Sequence, residues 1–239
     1  MAVTSSSSRR VVFVHGSGFF GAAAWPAQHV LAGSFDCLFV RRSGFDAVLE
    51  PLPTDFVADA QIVIDNLQLD GQQGGHVVAH AQGAISAMMA AVQRPDLVHS
   101  LTLCEPACLS LTKDLPATAA HMKLMQPVFD QRATLDDVGY HRQFAQLAFG
   151  EAARVLDPDD AEALRSAHRL RLQAPAWAAP LDIVPGVPTL VLTGGWEPMY
   201  EEVAEYLSST GAQHLVAGGG HRPQDTENGQ RAIKEFLAA

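Results

Sequence analysis

Six short apolar runs, each stopped by glycine or proline, alternate with segments of helical periodicity, and this rhythm fixes the class of fold. The runs are RRVVFVHGSG (9–18), FDCLFVRRSG (35–44), GHVVAHAQG (75–83), HSLTLCEP (99–106), VPTLVLTGG (187–195) and AQHLVAGGGH (212–221). They are apolar almost throughout rather than at every second residue, as expected of strands covered on both faces. Helices are predicted over 22–31, 54–67, 82–94 and around 230–237, and one starts at Pro198, a favoured first-turn residue. Thr54 is the expected cap of the second helix, whose apolar face is Phe56, Ala60, Val63, Ile64 and Leu67. Repeated alternation of strand and helix implies an α/β fold: a mostly parallel six-stranded sheet with helices on both faces.

The rhythm breaks once. About 80 residues between Glu105 and Val187 carry no strand pattern but three helical ones, over 117–129, 136–149 and 159–172. A structureless loop of that length does not suit a compact domain. The expected organisation is a disordered tail at 1–8, a core made of 9–106 and 187–239, and a helical cap inserted over 107–186.

Composition acts by exclusion. A net charge of −10 gives no reason to expect nucleic acid or an anionic membrane as partner. Three cysteines, Cys37, Cys104 and Cys108, make no disulfide framework, and the first and second lie inside apolar runs as reduced core residues would. There is no apolar run of the ~18 residues that a membrane span needs, and MAVTSSSSRR lacks the apolar centre of a signal peptide. A cytoplasmic location is expected. The ten histidines show no metal-ligand spacing, so neither metal nor cofactor is expected.

Ligands on open α/β sheets bind beyond the carboxyl ends of the strands, and chemistry-bearing residues gather at those ends. After the first strand stands His15-Gly16-Ser17-Gly18, where the Ser17 amide is placed to hold an oxyanion. After the third stands His80-Ala81-Gln82-Gly83, which reads as a strand-to-helix turn presenting its middle residue above the sheet. Gln82 opens the following helix, so its amide is the second expected oxyanion donor. Glu105 follows the fourth strand, Glu197 the fifth, and His221 the sixth, behind three glycines suited to carrying a base. His80, at the strand end, is expected to be structural.

VHGSG, HAQG, the two strand-loop-glutamate segments and GGGHRPQ, in this order, resemble the α/β-hydrolase superfamily along nearly the whole chain. The resemblance implies a compact member lacking the first two strands of an eight-stranded sheet. It implies a triad of nucleophile, acid and histidine at residue 81, at Glu105 or Glu197, and at His221, with Glu105 favoured because CEP looks like members that use the earlier carboxylate. Position 81 departs from the pattern, since alanine has no nucleophile. The first reading is a serine esterase or lactonase inactivated at Ala81. The alternatives are a natural non-catalytic small-molecule binder, and a lyase or cofactor-free oxygenase using His221 as base. Phe19, Phe20, Trp196, Met199, Met125, Phe129 and Trp177 are the expected walls of an apolar pocket. The expected partner is an apolar small-molecule ester or lactone; a homodimer is compatible with the sequence.

Overall fold

The computed structural model describes residues 10–150, 156–157 and 159–239; the expected tail at 1–8 lies outside them. Six strands, β1 (Arg10–Val14), β2 (Asp36–Phe39), β3 (Gly75–His80), β4 (Val98–Cys104), β5 (Thr189–Thr193) and β6 (Gln213–Val216), form one sheet in the order β2-β1-β3-β4-β5-β6. Every pairing is parallel. The helices are α1 (Phe56–Gln68), α2 (Gly83–Gln93), α3 (Pro116–Asp130), α4 (Asp137–Phe149), α5 (Ala161–Leu172), α6 (Pro198–Ser209) and α7 (Glu227–Ala238). None of them is long and apolar enough to cross a membrane.

The pleat sends alternate strand residues into two cores. Val12, Val14, Val77, Ala79, Leu101 and Leu103 pack with α1, α2 and α6 on one face. Val11, Phe13, Val78, Cys104 and Leu192 pack with Trp25, Ile233 and Leu237 on the other. Covering both faces explains why β1, β3, β4 and β5 read as unbroken apolar runs; the edge strands β2 and β6 are more exposed. The strand order reverses direction between β1 and β3, and residues that follow both strands line the cavity described below.

Local chemistry moved three expected features. The helix at 22–31 is two short 3-10 turns, Gly21–Ala24 and His29–Gly33. Pro26 lacks the amide a continuous helix would use, and the break lets Trp25 sink completely beneath β1, its ring 5.3 Å from that of Phe13. Asp55, not Thr54, caps α1 by accepting from the Val57 and Ala58 amides, while Thr54 accepts from the Ala174 amide. Thr226 starts α7 three residues earlier than expected by accepting from Gly229 N. Cys37 is only half-buried, unlike Cys104 and Cys108.

The helical insertion lies between β4 and β5, which remain hydrogen-bonded neighbours in the sheet. It contains α3, α4 and α5. Its exit is fastened to the core: Ala174 N donates to Thr54 Oγ1, and Ala174 O accepts from Gln82 Nε2.

Helix α2 crosses β1 closely enough that a Cβ on Gly83 would meet Val14 O at 2.6 Å and run into His15 O. Gly83→Ala should therefore cost about 1–3 kcal/mol. A thermal melt should show a midpoint lowered by several degrees; an unchanged midpoint would mean that α2 does not sit this close.

Candidate active site

Two residues at adjacent strand ends adopt the left-handed conformation that L-residues avoid: Ala81, with φ 50°, and Glu105, with φ 49°. Each is pinned by the next strand. Ala81 N donates to Cys104 O (2.9 Å), Ala107 N donates to Ala81 O (3.1 Å), and Glu105 N donates to Leu192 O (2.8 Å). Such strain is held only where surrounding structure over-determines it. Here it lifts the Ala81 methyl into a cavity and turns the Glu105 carboxylate beneath the His221 ring.

Glu105 is completely buried. Its Oε1 accepts from Gly194 N (2.7 Å) and its Oε2 from Trp196 Nε1 (2.8 Å); Oε2 also stands 3.5 Å from His221 Nδ1. Gly194 in turn lies so close to Gly220 that no side chain fits between the two loops. The carboxylate is thus fixed by two donors and the imidazole is set against it, leaving Nε2 toward the cavity. Glu197 lines the cavity half-buried and makes no hydrogen bond to His221 among the described residues. Trp196 lines the cavity as the sequence suggested, but it also orients Glu105, a role its position in the loop did not reveal.

His80 supports the same loop from below. Its Nε2 lies 2.7 Å from His221 O, and burial, followed by the neighbouring His221, pushes its pKa well below the usual value. A neutral ring that donates from Nε2 holds the histidine loop in place.

The amides of Ser17 and Gln82 donate to nothing among the described residues, and both residues line the cavity with Ala81 and His221. Behind them is a network without a sequence motif. Arg42, 3% exposed, pairs with Asp59, 1% exposed, through Nε (2.9 Å). The same guanidinium donates to Gly16 O (3.1 Å) and Gln82 Oε1 (3.2 Å), and Ser17 Oγ donates to Gln82 Oε1 (3.0 Å). His15 completes the support: its Nε2 accepts from Arg42 N, which leaves Nδ1 to donate to Gly16 O. Burial, reinforced by the Arg42 charge, lowers the His15 pKa to about 3. The signal that was available is RRSG, two arginines directly after an apolar strand; the partner on α1 had none.

The cavity measures about 630 Å³. The insertion contributes Met125, Phe129 and Trp177 to its wall; Phe19, Trp196 and Met199 line it from the core. Phe20 does not line it. That ring packs against Phe45 and His15, with the Arg169 guanidinium 4.8 Å from its centroid. Tyr200, which the sequence reading passed over, lines the cavity with its ring 5.4 Å from that of His221. No group of three or more potential metal-ligating side chains occurs among the described residues.

Comparison with known proteins agrees with this fold. The model of the alpha/beta hydrolase family matches residues 11–237. NosK from Streptomyces actuosus is similar in structure, with a TM-score of 0.64 at 21% identity over 97% of this chain and 98% of that one. Naproxen esterase from Bacillus subtilis gives 0.63 at 17% identity over 97% of this chain and 84% of that one. Carboxylesterase CesB from the same organism gives 0.62 at 14% over 98% and 85%. No curated protein matches the chain in sequence.

Because His15 and His80 are held neutral by burial, the unfolded chain binds more protons than the folded one below the ordinary histidine pKa of about 6.5. Stability should be full above that pH and fall as the pH drops toward about 3, where His15 itself protonates. Urea unfolding at stepped pH should show this slope, made shallower in His15→Asn by about 1.4 kcal/mol per pH unit. Equal slopes would mean that His15 is not buried neutral.

Proposed function

The chain belongs to the alpha/beta hydrolase family, and on that premise we propose that its site is built to cleave a carboxylic ester or lactone of an apolar small molecule through a Ser-His-Glu triad, in a form inactivated at Ala81. The observation that carries this reading is the fixed Glu105–His221 pair beside a strained turn whose side chain enters the same cavity. Strain of about 1–3 kcal/mol at a non-glycine residue has a use where a side chain must be presented.

With a serine at 81, His221 Nε2 would take the hydroxyl proton as the oxygen attacks the acyl carbon. The Ser17 and Gln82 amides would hold the oxyanion, and Glu105 would orient the ring and stabilise its cation. The leaving alcohol would recover the proton, and a water activated by His221 would release the acid. In the chain as it stands the first of these steps has no atom to perform it. The insertion over 107–186 acts as a cap whose aromatic wall suits an aryl acyl or aryl alkyl group. Two of the structurally similar proteins are esterases by name.

Ala81→Ser should hydrolyse p-nitrophenyl esters at least ~10³-fold faster than the Ala81 chain, and adding His221→Ala should abolish the gain. In the serine background, Glu105→Gln should lower kcat by roughly 10²–10⁴-fold, while Glu197→Gln changes it little. The reverse order of the two glutamates would move the acid to Glu197. A serine form that is folded and inert would sink the hydrolase reading.

A further inference from the structure

The site lacks a nucleophile, yet it retains everything that a different reaction requires. Among the described residues the His221 side chain hydrogen-bonds to Glu105 alone, so Nε2 is free toward the cavity. The other hydroxyls along the wall do not take the place of a serine. Ser17 Oγ donates to Gln82, and neither Ser166 nor Tyr200 bonds to His221. Cys104 and Cys108 are sealed inside the cores, where burial raises both thiols. A hydroxyl at residue 81 would occupy the imidazole lone pair; a methyl leaves that lone pair to whatever the cavity holds.

An oxyanion does not have to arise from addition to a carbonyl. Removing a proton from the neighbouring carbon places the same charge on the same oxygen, and the two unpaired amides serve an enolate as well as a tetrahedral adduct. Such a reaction needs a base within reach of the C–H bond and fixed donors at the oxygen, with no covalent partner. Tyr200 adds a donor to the same cavity. Burial, then the Glu105 and Glu197 carboxylates, push its pKa up, so the phenol keeps its proton.

We propose that the chain with Ala81 is a carbon-acid catalyst: His221 removes a proton from the carbon beside the carbonyl of an apolar arylmethyl ketone or arylacetic ester, and the Ser17 and Gln82 amides hold the enolate oxygen. This rests on the same base and amide pair as the hydrolase reading, and not on a serine. The Nε2 lone pair takes the proton. The C–H electrons become the C=C bond, and the carbonyl π electrons move to the oxygen. Reversal returns a proton from the imidazolium to carbon. In D2O the imidazolium exchanges with solvent, so each cycle can leave deuterium on carbon with nothing oxidised or reduced.

The probe is 1-(2-naphthyl)propan-2-one, an apolar carbon acid with no bond to hydrolyse, followed by proton NMR in D2O. The unaltered chain should incorporate deuterium at the carbon between ring and carbonyl at least ~10²-fold faster than His221→Ala. Glu105→Gln should fall between the two. Incorporation no faster than with equimolar free imidazole overturns the proposal, whether or not the histidine variant folds. The two readings fail separately. Esterase activity in Ala81→Ser without exchange in the Ala81 chain removes this inference and leaves the hydrolase. Exchange in the Ala81 chain with an inert serine form removes the hydrolase and leaves the carbon-acid reaction.

Discussion

The site depends on hydrogen bonds at the carboxyl edge of three adjoining strands. Residue 81, at the end of β3, hangs on the last carbonyl of β4; Glu105, at the end of β4, hangs on β5. Each bond holds a backbone that is unfavourable on its own, and each is shielded by helices on both faces of the sheet. Because the strands are parallel, their ends fall at one edge, and side chains far apart in sequence meet there. The sheet therefore supplies rigidity where loops alone would leave the imidazole and its carboxylate loosely placed.

A second layer lies beneath the amide donors. The buried Arg42–Asp59 pair links β2's exit to α1, and its remaining donors reach the glycine loop and the Gln82 side chain. Breaking such a pair on one side leaves an uncompensated charge, typically a loss of 3–5 kcal/mol. The pair thus couples the global stability of the fold to the geometry of two peptide amides. Gln82 extends the link outward, since its amide nitrogen binds the exit of the insertion. The turn at His80–Gly83, the loop at His15–Gly18 and the exit of the insertion are consequently joined through hydrogen bonds.

Much of this was legible in the sequence, and the remainder was hidden for identifiable reasons. The four central strands announced themselves because both faces are buried, which β2 and β6 at the sheet's edges are not, and the three helices of the insertion began within two residues of their expected starts. The turn at His80–Gly83 and the glycine run before His221 were readable because small residues are required where backbones cross. Strand position did not separate Glu105 from Glu197, since both follow strands, and the preference for Glu105 came from the resemblance that CEP carries; the positive φ of Glu105, invisible in a residue string, is what turns its carboxylate under the ring. Phe20 was misplaced because adjacent loop aromatics carry no periodicity to say which faces inward. Arg42 and Asp59 went unread because a buried ion pair across 17 positions leaves no motif.

The left-handed alanine has a consequence for ancestry. Its left-handed backbone is strained with either a methyl or a hydroxyl at the end of the side chain, so the turn itself does not have to change for the exchange. Alanine and serine codons differ by one base. A single base change would therefore place a hydroxyl in the cavity at this residue without remodelling the turn that presents it.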